Sequence, residues 1–334
     1  MKDKIKDIVK LILFLGLGVF FVWFSVKDLT AEQRAEIWKN IQYVFVSHKW
    51  IYLLICALIG YVSVWLRGIR SVLMINPLGY KMRYSSAYHS VCICYLANMA
   101  IPRLGEILRC TVLQKYEKVP FQKSLGTVVT ERVIDVLICG LMFLFALILE
   151  SDKIIQILTG NHAGANIMHM LSGWGKYVIL LALLLMCVII YLLRRRIARF
   201  GIVQKMKKIL MEFWEGMLSI RKISQPLLFV IYSLLIWLCY YFMFFFALFA
   251  FPEVMSLGSD IWLLSLSAVV IGTVGFAIAQ GGLGAYPWLI SIVMALYGIS
   301  SEVGLALGWV VWSTESVLYL LIGIISLVII SLKK

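Results

Sequence analysis

Asn98-Met99-Ala100-Ile101-Pro102-Arg103-Leu104-Gly105-Glu106-Ile107-Leu108-Arg109 places a proline, a glycine and three charged side chains between apolar runs. Irregular, charged backbone is costly beside lipid, and it persists only where protein buries it or where it lines a wet cavity. The stretch therefore predicts a break in a membrane segment and a place where function resides. Ser85–Ile101 leads into the break and Leu104–Leu113 leaves it. As a helix the second arm is about 15 Å long, against about 30 Å for a full crossing. Residues 85–114 accordingly read as a re-entrant or broken helical pair that enters and leaves from the cytoplasmic side. Lys115, Lys118 and Lys123 beyond it suit that side.

The rest of the chain supports a membrane reading. Of 334 residues, 62% are hydrophobic and 14% charged, and the apolar runs exceed those of soluble cores. This predicts an all-α polytopic membrane protein, with no room for an appended catalytic domain. The net charge of +14 does not point to nucleic acid, because the basic residues sit in juxtamembrane clusters. Lys2, Lys4, Lys6 and Lys10 precede the first apolar run, residues 194–222 carry nine basic residues against two acids, and Lys333 and Lys334 close the chain. Such clusters mark cytoplasmic sides and suit an anionic leaflet. The seven cysteines lie mostly in apolar runs without CxxC or Cys/His spacing, so no metal or cofactor is expected. Leu11–Val26 lacks a small-residue cleavage site and reads as a retained span rather than a signal.

Outward from the first break, Ile8–Val26 leaves the cytoplasm. Residues 31–47 carry Ile37, Trp38, Ile41, Val44 and Phe45 on one face, which predicts an amphipathic helix at the outer interface. Trp50–Ile75 returns inward, and snorkelling toward the cytoplasm accounts for Arg67 and Arg70 near its end. Gly126–Leu149 goes out, with Glu131 and Asp135 on one helical face and Arg132 three residues before Asp135. His162 and His169 in the loop 150–175 have no ligand companions. Tyr177–Leu193 comes back, residues 200–222 form a basic amphipathic surface helix, and Leu227–Phe251 goes out again.

A second break follows Ile261–Ala279. It is Gln280-Gly281-Gly282-Leu283-Gly284-Ala285-Tyr286-Pro287, and after it a short arm, Trp288–Ile299, precedes the last span, Val303–Leu332. The resulting fold is about six full spans plus two re-entrant or broken helical hairpins in a pseudo-inverted repeat. Half one covers about 50–150 and half two about 226–332 of a single transmembrane domain, 1–334. Interrupted segments at matching places in oppositely oriented halves point to a transporter with its site near the midplane. Both termini are expected in the cytoplasm. Gly304 and Gly308 form a GxxxG, a weak pointer to a homo-oligomer.

Three blocks, Asn98…Pro102-Arg103-Leu104-Gly105-Glu106…Arg109, Val128-Val129-Thr130-Glu131-Arg132…Asp135 and Gly281-Gly282-Leu283-Gly284, resemble the lysylphosphatidylglycerol synthase transmembrane, flippase-like family, in order over nearly the whole chain. The resemblance implies the fold of the lipid-flipping half of a bacterial multiple peptide resistance factor, in a bacterial cytoplasmic membrane and without its synthase half. The chain departs from the family after the glycines, where Tyr286-Pro287-Trp288 stands in place of an early charge.

On that resemblance the expected function is lipid translocation of a phosphate-bearing lipid between leaflets, with membrane lipids as partners. The alternatives are an intramembrane lipid-modifying enzyme and a small-solute transporter. No GxSxG, HExxH or GxxxxGK[ST] motif supports catalysis or ATP drive. Arg103 and Arg109 are the expected phosphate ligands, because a guanidinium fork fits phosphate oxygens and stays charged. Glu106, midway between them, would hold them apart. Glu131, Arg132 and Asp135 extend this polar path or form an internal charge network. Asn98, Gln280, Gly281, Gly282 and Gly284 complete the expected substrate-binding set, the glycines through close backbone approach or through packing alone. Glu315, near the middle of the last span, either takes a proton as a coupling group or pairs with an arginine of the first hairpin. Anionic phospholipid, aminoacyl lipid and polyprenyl-phosphate-linked sugar all present the required phosphate.

Overall fold

The computed structural model describes residues 19–27, 29–101, 103–149, 223 and 225–332. Most of the first span, Pro102, His162, His169, the span Tyr177–Leu193 and the basic helix 200–222 lie outside the described residues. So does the side chain of Gln280. All regular structure among the described residues is helical.

Helix α1 (Ala31–Val46) starts on a reciprocal cap. Thr30 Oγ1 accepts from Gln33 N at 3.2 Å, and Gln33 Oε1 accepts from Thr30 N at 2.9 Å, which satisfies two donors that a helix start leaves free. Its apolar face divides. Ile37, Ile41 and Val44 pack on the main core, while Trp38 and Phe45 are exposed. Gln33 Nε2 donates to Glu302 Oε1 at 2.6 Å, which ties α1 to the start of the last helix.

Helix α2 (Trp50–Ile75) stops at Asn76-Pro77, and Gly79 turns the chain with φ 92°. Helices α3 (Tyr84–Ala100) and α4 (Leu104–Glu117) form the first broken pair. Ile101 is extended, as expected before a proline, and Arg103 sits in the left-handed region at φ 62°. The second arm is one turn longer than its apolar run, and Arg83 Nε pairs with Glu117 Oε1 at 3.0 Å across the base of the pair.

Gly105 sets how closely the arms approach. A Cβ there would collide with the carbonyl oxygen of Cys94 and lie 2.6 Å from Asn98 Oδ1. Backbone cannot yield as a side-chain tip does, so Gly105→Ala forces α3 and α4 apart at a cost of about 1–3 kcal/mol. Thermal unfolding of the detergent-solubilised protein should show a fall of several degrees. An unchanged transition would mean the arms are loosely packed.

Helix α5 (Phe121–Leu149) is followed, beyond the undescribed segment, by α6 (Pro226–Leu248). Short 3-10 turns over Pro252–Asp260, kinked at Gly258 with φ 53°, then lead into α7 (Ile261–Ile278). Helices α8 (Ala285–Leu296) and α9 (Ser301–Leu332) complete the fold. The second break is tighter than its sequence suggests. Helix α8 already begins at Ala285, and Pro287 fits its first turn, where the missing N–H has no helical partner.

Four described segments are long and apolar enough to cross a membrane: Trp50–Leu78, Pro226–Leu248, Pro252–Ile278 and Ser301–Leu332. With its 3-10 lead-in, the first arm of the second break is among them. Helix α5 has 29 residues, and from Arg132 to Leu149 its only charged residues are Arg132 and Asp135.

The packing pattern repeats between the halves. α3 packs on α4 as α7 packs on α8, α2 on α3 as α6 on α7, α4 on α5 as α8 on α9, and α9 on α3 as α5 on α7. Helices α2 and α6 pack on each other and form the seam. The GxxxG serves a contact within this chain. Cβ atoms on Gly304 and Gly308 would meet the Cα atoms of Ser291 at 2.7 Å and Pro287 at 2.5 Å, so α9 lies directly on α8.

Candidate functional site

Seven charged side chains from α2, α4 and α5 converge under the first break. Helical spacing aims each set inward: Arg67 and Arg70 are three apart on α2, Glu106 and Arg109 three apart on α4, and Glu131 and Asp135 four apart on α5. Arg109 forms a two-pronged pair with Glu131, both bonds 2.9 Å. Arg70 Nη1 and Nη2 reach Asp135 at 2.7 and 3.2 Å, Nη1 also reaches Ser233 Oγ at 3.3 Å, and Glu131 is 3.8 Å away. Arg67 donates to Asp135 Oδ2 at 2.8 Å and to Tyr240 OH at 2.9 Å. All five ions are buried, and Arg70 is fully so. Buried charge survives only when paired, and here every member is.

This corrects the snorkelling expectation for Arg67 and Arg70. They turn into the protein because Asp135 presents two oxygens to the same face of α2, an attraction that outweighs reaching for water in a low-dielectric setting. Sequence reading also missed Ser233 and Tyr240 on α6. The available signal was two arginines at three-residue spacing on the opposite side of the helix from Leu54, Leu58, Tyr61 and Trp65, all exposed in the structure.

Glu106 likewise departs from its expected role between Arg103 and Arg109. Its Oε1 accepts from Arg132 Nη2 at 3.1 Å and from Asn98 Nδ2 at 3.3 Å, and its Oε2 is buried without a hydrogen bond among the described residues. Asn98 Oδ1 accepts from Gly105 N at 2.8 Å, so Asn98 caps the start of α4 and steers Glu106 together. Arg103 is exposed at the corner. Arg109, committed to Glu131, is not a free ligand.

Arg132 is the member at the rim. Its side chain is 42% exposed while it leans on Glu106 and, at 3.9 Å, on Asp135. Val133, Val136 and Leu137 beside it on α5 are exposed apolar residues. Counting the cluster, four guanidinium groups (67, 70, 109, 132) face three carboxylates (106, 131, 135), and the unbalanced positive charge has its exposed end at Arg132.

The glycine break stands apart from this cluster. Gly281 carries φ 56° and its carbonyl accepts from Trp312 Nε1 at 2.6 Å. Gly282 and Gly284 also have positive φ. A Cβ on Gly284 would strike the backbone of Phe21 and Val22, so the helical residues 19–26 rest on this turn. Packing thus accounts for Gly284. Glu315 has no ion pair with an arginine of the first hairpin, and no basic group lies within 4.0 Å of it among the described residues. Among the described residues, no three His, Cys, Asp or Glu side chains could hold a metal.

Long apolar helices, two interrupted pairs in matching packing environments and a buried ion cluster at one interruption define a multi-pass helical membrane protein with a polar interior site. The chain belongs to the family described as the lysylphosphatidylglycerol synthase TM region, which matches residues 8–323. That family supports a membrane, lipid-related role. No curated relative and no solved structure matches the chain.

Proposed function

We propose that the protein is a lipid translocase that moves a phosphate-bearing lipid between leaflets, using the positive rim of the ion cluster as its headgroup site. The observation that carries this reading is Arg132, a half-exposed guanidinium bordered by lipid-facing Val133, Val136 and Leu137. A headgroup phosphate can reach it while the acyl chains stay in the bilayer. Arg103, exposed at the corner of the same hairpin, supplies a second fork. Glu106 and Asn98 orient Arg132, and phosphate competes with Glu106 for it. Glu131 and Asp135 act one layer deeper: they hold Arg109, Arg70 and Arg67 in place, so the site keeps its charge without collapsing.

The reading assigns no catalytic step. It places the two broken pairs as re-entrant elements of an inverted repeat in a bacterial cytoplasmic membrane, with both termini inside. The matching packing of the halves supports this symmetry, because alternating access is the rocking of one repeat against the other.

The test is leaflet exchange in liposomes with fluorescent phosphatidylglycerol, a phosphatidylcholine comparison and an external quencher. Purified protein should accelerate loss of the protected phosphatidylglycerol signal, and Arg103→Ala should slow that loss while leaving thermal stability unchanged. Absence of exchange for every phosphate-bearing lipid tried would reject the proposal.

A further inference from the structure

Glu315 lies fourteen residues beyond the first residue of α9, and Asp135 fourteen beyond the first of α5. The packing repeat pairs α5 with α9, so the two carboxylates are counterparts. Their surroundings differ. Asp135 is gripped by Arg67 and Arg70 of α2, which lie 17 and 20 residues beyond its start; the corresponding positions of α6 are Met243 and Phe246, both apolar. Cys56, whose Sγ donates to Met243 O at 3.0 Å, lies within electrostatic reach of Glu315, as do Tyr286 and Tyr319.

The charged and titratable groups around Glu315 can be followed helix by helix. Helix α2 brings Cys56 and, further along, Arg67; α8 brings Tyr286; α9 itself brings Tyr319. Helix α3 brings Tyr95 and, nearer its start, His89, which bonds Ser326 at 3.0 Å; α6 brings Tyr240. Helix α1 meets α9 at its far end, where Gln33 bonds Glu302. Among the described residues none of these is a cation within 4.0 Å of the Glu315 carboxylate. Glu315 is partly buried, and a carboxylate withdrawn from water without a counter-charge is favoured when something neutralises it; a proton is the smallest candidate. A single carboxylate ringed by phenols and a thiol lacks the six or more oxygens that a hard divalent cation takes.

Aromatic residues connect α9, one turn from this carboxylate, to the ion cluster. Tyr319, one turn along α9, stacks on Tyr95 with centroids 4.5 Å apart and planes 9° from parallel. The hydroxyls of Tyr95 and Tyr240 are 3.4 Å apart, and Tyr240 accepts from Arg67, which holds Asp135. We propose that Glu315 is a reversible proton-binding site between the two halves, whose charge is passed to Arg67 through Tyr319, Tyr95 and Tyr240. Ionised Glu315 draws positive potential toward α9 and loosens Arg67 from Asp135; the neutral acid leaves Arg67 locked. Proton and headgroup then share one coupling free energy, which is reciprocal. The coupling half of this inference rests on the translocase reading, whereas the proton site does not.

The full chain in phosphatidylglycerol liposomes is treated with dicyclohexylcarbodiimide, which attacks protonated carboxyls in apolar surroundings, and the peptide holding Glu315 is followed by mass spectrometry from acid to alkaline pH. Glu315 should label at neutral pH, with labelling falling about tenfold per pH unit above its midpoint, while Glu302 stays unlabelled. Glu315→Gln should abolish the signal. Glu315 left unlabelled, or labelled equally at all pH, overturns the proton site. In the same liposomes a pH gradient should change the wild-type exchange rate, and the ratio of rates with and without the gradient should fall to one in Glu315→Gln and in Tyr95→Phe. Labelling that persists in Tyr95→Phe while the gradient response disappears supports the relay; a retained response overturns it. Normal labelling with no exchange of any lipid leaves the proton site standing and removes the translocase reading instead.

Discussion

Asp135→Ala should be the most damaging single substitution in the chain, lowering stability by about 3–5 kcal/mol, the usual penalty for stripping one partner from a buried ion pair. Asp135 receives Arg67 at 2.8 Å and Arg70 at 2.7 Å, so its loss leaves two buried guanidinium groups with only Glu131, already engaged by Arg109, near either. The expected result is a protein that aggregates on solubilisation or melts far below wild type. A combined Arg67→Met, Arg70→Met, Asp135→Leu variant separates charge from shape. It removes both partners of each contact and keeps Arg109–Glu131, so it should recover most of the lost stability, as apolar replacements of whole buried ion groups tend to do. Wild-type melting in Asp135→Ala would mean that water, not the carboxylate, neutralises the arginines.

Arg132→Gln should do the opposite: little to stability, much to exchange. A half-exposed ion pair contributes at most about 1 kcal/mol, and glutamine keeps a donor for Glu106. A hydrogen bond to a charged group is worth about 1.5–3 kcal/mol, so phosphatidylglycerol exchange should slow by about ten- to a hundredfold. Arg132→Lys should fall between, because it keeps the charge and loses the fork. Equal rates for all three proteins would place the headgroup elsewhere. Arg132 and Asp135 belong to one cluster and sit three apart on one helix, and burial alone separates a residue that holds the site from one that presents it.

The break at residues 98–109 was legible in the chain because proline, glycine and charge have no cheap place beside lipid. The ends of α2, α3 and α9 also fall within about two residues of where apolar periodicity puts them, since the bilayer fixes how much apolar length a helix needs. Glu131, Arg132 and Asp135 were legible as a polar face, because helical spacing relates residues within one element. Their partners were not. Nothing in the spacing of Arg67 and Arg70 reveals that α2 lies against α5, and a lone arginine near the end of a span is equally well explained by snorkelling. Glu106 was misassigned for the same reason: its neighbours along α4 are Arg103 and Arg109, while its partners in space are Asn98 on α3 and Arg132 on α5.

By itself, then, the sequence determined the membrane class, the family, the two interruptions and the polar faces, all of which follow from the solvent each residue tolerates and from periodicity within one helix. Tertiary structure alone decided which carboxylate each arginine meets, that Asp135 is doubly paired while Glu315 is left without a cation among the described residues, and that Arg132 is the partly exposed guanidinium of the cluster. Pairing of charges depends on distances of a few ångströms between helices far apart in the chain, and only packing sets those distances.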